Sequence, residues 1–383
     1  MVAPPLFRHL PLSRQYRPKS IQIRRQWRQG LLANPQMPQL AKQLHSMQWA
    51  APPLILTGLF LALWSWKCMM MVLFQNTIIY NPFMPPNARS MKIEDFKKQC
   101  RGIQWREERI RSLDGTEIAL CVSDDPASAA GVDLKTPVYI LYFQGNASSL
   151  PPRLPDLSWV LRTLREGSKT VSYTMVCVSY RGYWTSHDRP SETGINKDAE
   201  AALRWISSFH YKRDPEKQMP DPVIILYGQS IGCGFATNLA ATTEAMPIHG
   251  LVLETPFEST RSMLKALYPQ KWLPYQHLWP FLRNHLDTWT NMGVIASRSP
   301  PSGFGISIVE AAKDELVPSE HGDRLYKRCQ DVGIPVERQK VRGAYHNDAI
   351  VRMQGKTAVV HSVASAVARI AQNGPRNGGI VTK

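Results

Sequence analysis

The chain has 383 residues, enough for one large domain with its own core and for terminal extensions. It carries 46 Lys and Arg against 30 Asp and Glu, a net +16, yet no nucleic-acid readout motif accompanies that charge, so nucleic acid is not expected as a partner. Its six cysteines, among them Cys177 in an expected core strand, Cys233 in an expected helix and Cys68 in an apolar run, fit single buried thiols better than a disulfide framework or a metal knuckle.

Residues 1–53 read as a basic, proline-rich tail. The first 50 residues hold eight Lys or Arg and no acid, half of the net charge, and are expected to lie in the cytosol against anionic lipid. Leu54 to Phe74 then reads as one transmembrane helix: 21 residues with a single charge, Lys67, and with Trp49, Trp64 and Trp66 close by. Its ten Leu, Ile, Val or Phe residues favour insertion by on the order of 3–6 kcal/mol, against about 2.5–3.5 kcal/mol for a lysine that can snorkel. A 53-residue leader is too long for a secretory signal peptide. The positive-inside bias puts the tail in the cytosol and the rest of the chain in a lumen, which makes the endoplasmic reticulum the expected membrane. An acid-free, arginine-rich leader also suits a mitochondrial presequence, so the mitochondrial inner membrane is the alternative. Eight prolines by Pro53 and only Ser13, Ser20 and Ser46 weigh against it.

Residues 75–102 are expected to be a linker to a domain spanning 103–372. Ile103 to Ile110 and Thr116 to Val122 flank an Asp114-Gly115 turn and predict a hairpin. Val138 to Phe143 reads as a buried strand, and the loop after it, Gln144-Gly145-Asn146-Ala147, is placed to offer a backbone amide to an oxyanion, that of Asn146 with Ala147 as its neighbour. Ile195, Ala199, Ala202, Leu203 and Ile206 recur at helical spacing.

The most informative segment follows. Val223-Ile224-Ile225-Leu226 leads into Tyr227-Gly228-Gln229-Ser230-Ile231-Gly232 and then a small-residue helix. A strand that turns sharply into a helix presents a serine hydroxyl clear of the sheet, and the tight backbone there demands glycine at 228 and 232. The pattern predicts Ser230 as a nucleophile and the amide of Ile231 as an oxyanion donor. From Phe257 to Trp289 runs an aromatic stretch interleaved with Pro269, Pro274 and Pro280. It is either a loop with a satellite core or a short cap that lines an acyl pocket. Ile306 to Ala311 is an expected strand whose exit loop offers Asp314 as the acid, ahead of Glu315, Glu310 and Asp287. Val336 to Val341 is another, and its exit offers His346 as the base. Val359, Val363, Val367 and Ile370 mark a last helix before a flexible tail, 373–383. The order Ser230, Asp314, His346 is that of an α/β-hydrolase, in which the histidine takes the serine proton and the aspartate orients the histidine, with no metal or cofactor required.

Six blocks in order, Phe143-Gln144-Gly145-Asn146-Ala147, Ser179-Tyr180-Arg181-Gly182-Tyr183 with Pro190-Ser191-Glu192-Thr193-Gly194, the Ser230 turn, Leu253-Glu254-Thr255-Pro256-Phe257, Asp314 to Pro318, and Tyr345-His346-Asn347-Asp348, resemble the bud-emergence-type α/β-hydrolase family. The resemblance covers about residues 103–372. It implies a mostly parallel, doubly wound sheet with a short cap, preceded by one transmembrane helix, and a serine hydrolase related to monoacylglycerol or lysophospholipid lipases and protein depalmitoylases. The expected function is therefore cleavage of lipid-like acyl esters at a membrane, with an acyl-protein thioesterase or a non-catalytic scaffold as alternatives. Two departures stand out: the family usually has histidine where this chain has Gln144, and glycine where it has Trp184. Gln144 is expected to hold its loop by hydrogen bonding, and Gln144, Trp184 and Phe257 are expected at the substrate pocket. Asn146-Ala147-Ser148 is also a glycosylation sequon, which a lumenal domain would have to leave unmodified.

Overall fold

The structure, a computed structural model, describes residues 37–124, 135–213 and 220–373. Most of the expected basic tail, and the C-terminal tail beyond Asn373, lie outside the described residues. The chain divides into two compact units, residues 1–67 and 68–383.

Helix α1 runs Met37–Leu73, so it begins well before Leu54 and passes through Pro52 and Pro53. Residues 39–51 hold three Ala, three Gln and two Leu and lack both Gly and Pro, so their helix propensity is favourable up to Pro52. Within it Gln48–Leu73, 26 residues, is long and apolar enough to cross a membrane. At about 1.5 Å per residue that stretch exceeds a bilayer core of roughly 30 Å.

The second unit is built on an eight-stranded sheet. Strands β1 (Trp105–Arg111) and β2 (Glu117–Ser123) form the expected hairpin, and β2 runs antiparallel to β4 (Val171–Val178). The remaining strands are parallel: β3 (Thr136–Phe143), β5 (Val223–Gln229), β6 (Gly250–Glu254), β7 (Ile306–Ala311) and β8 (Val336–Val341). Near-continuous apolar runs in β3, β4 and β5 are what a sheet covered on both faces requires. One face packs helices α4 (Glu192–Arg213) and α5 (Ile231–Thr242) through Ile195, Leu203, Phe235 and Leu239 onto Leu141 and Leu226. The other packs α3 (Leu154–Gly167) and the last helix (Met353–Asn373) through Leu157, Leu161, Val359 and Val363 onto Ile140 and Ile225. The register sets Phe143 beside Gly228, Gln229 beside Glu254, and Ala311 beside Val341. The loops after β3, β5, β7 and β8 therefore leave one edge of the sheet, where parallel α/β folds gather functional groups.

Residues 75–102 are not a free linker. Gln75–Ile79 forms a short helix, α2, and Tyr80, Ala88 and Cys100 are fully buried. The Tyr80 hydroxyl donates to Asn284 Oδ1 at 3.1 Å. Burying a tyrosine of this size ties the segment to the domain core.

Behind the sheet edge, the block from Ser179 to Gly194 encloses an ion pair. Arg181 Nη2 donates to Asp198 Oδ1 at 2.7 Å and its Nε to Oδ2 at 3.1 Å, with Asp198 completely buried. Its remaining donors reach Asp114 and Ser112. The guanidinium thus connects the β1–β2 turn, the exit of β4 and α4. Removing one partner strands a buried charge, which typically costs about 3–5 kcal/mol. Asp198→Ala should destabilise the protein by that amount in denaturant titrations of the detergent-solubilised chain; a loss under about 1 kcal/mol, the range of an exposed pair, would mean the pair is structurally idle.

Candidate active site

Ser230 follows β5 and caps α5 with φ 52° and ψ −117°, a backbone region a residue with a side chain occupies only under constraint. Two glycines supply the constraint. A Cβ on Gly228 would lie 2.6 Å from the Gly232 carbonyl oxygen, and one on Gly232 only 2.2 Å from that of Phe143. The backbone amide of Ser230 donates to the Glu254 carbonyl at 2.8 Å, which pins the turn to the end of β6.

The exit loops of β7 and β8 bring Asp314 and His346 to this turn. His346 Nε2 lies 2.9 Å from Ser230 Oγ, and His346 Nδ1 lies 2.8 and 3.0 Å from the two oxygens of Asp314. Asp314 Oδ1 also accepts from the amides of Leu316 and Val317, at 3.0 and 2.8 Å, so the carboxylate is fixed before it meets the ring. Proton placement follows from these contacts: with the hydrogen on Nδ1 directed at Asp314, Nε2 is left to accept from Ser230. Glu315 turns away and accepts from the His346 backbone amide at 3.0 Å. Glu310 is engaged by Arg338, and Asp287 caps the helix Thr288–Ser297. None of these three competes with Asp314 for the ring.

The loop after β3 lies beside the serine. Asn146 Oδ1 accepts from the Asn81 amide at 3.0 Å, the Tyr183 hydroxyl at 3.2 Å and the Ala147 amide at 2.7 Å. The Ala147 amide is thereby occupied. Among the described residues no acceptor meets the backbone amide of Asn146 or of Ile231, and both residues line the cavity that holds Ser230. Gln144 does not hold this loop by its side chain: it is buried and neither side-chain polar atom has a partner among the described residues. Instead its carbonyl accepts from the Tyr180 hydroxyl at 2.6 Å.

A cavity of about 380 Å³ opens at Ser230 and His346, lined by Phe257, Met263, Leu267 and Leu286 among other apolar residues. Phe257 is where the sequence puts it, but Gln144 and Trp184 do not line the cavity. Trp184 is 2% exposed, and its indole donates to the Met91 carbonyl at 2.7 Å; segment 75–102 covers it, so it faces the core and not the substrate space. The stretch from Phe257 to Trp289 lines the cavity with some residues and packs on itself with others. Helix α6 (Thr260–Leu267) contributes Thr260, Met263, Leu264 and Leu267 to the cavity, while Tyr268 and Tyr275 meet edge to face and Trp272 and Phe281 remain exposed.

Glu254 is a residue the sequence reading leaves without a role. It is completely buried between the serine turn and the histidine loop, where it accepts from the Tyr227 hydroxyl at 2.5 Å and the Ile350 amide at 3.1 Å. Burial pushes its carboxyl above the usual carboxylate range. Its position in Leu253-Glu254-Thr255-Pro256-Phe257 at a strand end was the available signal.

No protein-family model matches the chain. It is 30% identical over 179 residues to an uncharacterised membrane protein of Saccharomyces cerevisiae, covering 45% of this chain and 55% of that one. It is also 27% identical over 203 residues to the protein bem46 of Schizosaccharomyces pombe, covering 51% and 58%. Both relatives, and an α/β-hydrolase domain-containing protein of Arabidopsis thaliana that is 26% identical over 268 residues, support the resemblance to the bud-emergence-type α/β-hydrolase family. The match spans little more than half the length of the first two relatives. The crystal structure of an α/β-hydrolase from Vibrio vulnificus superposes with a TM-score of 0.54 over 76% of this chain and 93% of that one, at 18% identity, which establishes the α/β-hydrolase fold.

Proposed function

We propose that the protein is a membrane-anchored serine hydrolase that cleaves carboxylic esters of lipid-like acyl substrates. The observation that carries the reading is the hydrogen-bonded series Ser230 Oγ, His346, Asp314 at the mouth of a mainly apolar cavity. In the reaction, Ser230 Oγ attacks the ester carbonyl carbon while its proton passes to His346 Nε2. The amides of Ile231 and Asn146 receive the oxyanion, each such donor contributing about 3 kcal/mol of transition-state stabilisation. Collapse of the tetrahedral intermediate breaks the ester C–O bond, and the leaving alcohol takes the proton from His346. Water, deprotonated by the same nitrogen, then releases the carboxylic acid and restores the serine. An acyl-protein thioesterase would use the same atoms with a thiol leaving group, and comparing acyl-glycerol with S-acyl-cysteine substrates decides between them. Since neither Gln144 nor Trp184 lines the cavity, the sequence departures that motivated a scaffold reading lose their force. The span Gln48–Leu73 is read as the anchor, with the basic tail cytosolic and the catalytic unit in the lumen of the endoplasmic reticulum, or in the mitochondrial inner membrane as the alternative.

A fluorophosphonate should label Ser230 in the full chain, and Ser230→Ala should abolish it. His346→Ala and Asp314→Ala should each lower kcat by several powers of ten with KM little changed. Ser230→Ala combined with His346→Ala should be hardly worse than either alone, because the groups act as a unit; additive losses would remove His346 from the role of base.

Protease added outside sealed vesicles should clip the tail of residues 1–50 and spare the catalytic unit. Digestion of the catalytic unit under those conditions would reverse the topology.

A further inference from the structure

The segment that leaves the membrane-spanning stretch also walls the cavity. Met71, on the last turn of α1, and Ile78 and Ile79, at the end of α2, line the space that holds Ser230. Together with Thr260 and Leu264 they also line a second, almost wholly apolar cavity of about 70 Å³ that touches neither Ser230 nor His346. These five residues therefore form a partition with the catalytic groups on one side only.

The partition is fixed in place. Gln75, 5% exposed, donates from Nε2 to the Val72 carbonyl at 2.9 Å and the Phe281 carbonyl at 3.1 Å, and its Oε1 accepts from the Arg283 amide at 2.7 Å. Arg283 Nη2 caps the helix end by donating to the carbonyls of Val72 and Leu73 at 3.2 and 3.0 Å. A flexible tether would need none of these bonds. Phe74, Ile78 and Phe281 also expose apolar surface around this junction, as suits residues at a membrane interface.

We propose that Met71, Ile78 and Ile79 are specificity-determining residues that receive the fatty acyl chain of the substrate and set the length accepted, so that the anchor is part of the substrate site. The proposal rests on the ester-hydrolase reading. Met71 lies inside the stretch able to span the membrane, so a chain seated against it enters the site directly from the acyl region of the bilayer.

The test is a series of nitrophenyl esters from butanoate to hexadecanoate, hydrolysed by the full chain in detergent micelles, with fluorophosphonate labelling of the same samples. Ile79→Trp should lower kcat/KM for long esters, relative to that for butanoate measured on the same variant, by about fourfold for each methylene it excludes. Met71→Ala, which removes volume and opens the partition, should move the optimum to longer chains and guards against misfolding of the bulkier variant. If Ser230 is labelled in every sample and the chain-length profiles of both variants superpose on the parent, the anchor has no part in the site while the hydrolase reading stands. An unlabelled, inactive parent chain removes the hydrolase reading and this one with it.

Discussion

Ser230 is held in a backbone conformation that costs on the order of 1–3 kcal/mol where nothing compensates for it, and much of the domain's architecture serves to keep it there. The compensation comes from packing at van der Waals limits: Gly228 against Cys233, Gly232 against the end of β3, and the serine amide bonded to the end of β6. Because the Phe143 carbonyl is the atom that excludes a side chain at 232, the serine turn and the loop carrying Asn146 are positioned against one another by direct contact. Ser230 and the amides of Ile231 and Asn146 beside it are thus set by one packing arrangement among β3, β5 and β6.

Glu254 extends the arrangement to His346. Its carbonyl receives the Ser230 amide and its carboxyl receives the amide of Ile350, just beyond His346. The histidine loop is fastened a second time through Glu315, and a third time where the Lys313 amide donates to the Ala344 carbonyl at 2.8 Å. His346 therefore reaches Ser230 from a loop braced at several points. Such bracing matters because an error of about 1 Å in a reacting group can cost two powers of ten in rate.

The Ser230 turn and Asp314 are legible in the sequence because each follows a largely apolar strand, and His346 because it follows a segment with valine at both ends; a parallel sheet brings such strand exits to one edge whatever lies between them. The hairpin, the helix after the serine and the last helix are legible from periodicity for the same kind of local reason. Trp184 and Gln144 were misplaced because they stand out from the family pattern by identity alone, and identity does not say which way a side chain points. The fate of Trp184 is decided by the Met91 carbonyl, 93 residues away. Residues 75–102 read as a linker since their buried groups, Tyr80, Ala88 and Cys100, follow no helical or strand period. The early start of α1 was masked by Pro52-Pro53, which local rules treat as a stop.

The α/β-hydrolase fold, the strained serine and the cavity lined by Met71, Ile78 and Ile79 are what the proposed function joins: an acyl ester held against apolar walls with its carbonyl at Ser230. The most direct measurement is the covalent intermediate itself. The full chain, mixed with a long-chain nitrophenyl ester and acid-quenched within milliseconds, should give a peptide spanning Ser230 heavier by one acyl group, with no such peptide from Ser230→Ala. Acyl transfer to another residue, or rapid turnover with no acylated peptide at any quench time, would contradict it.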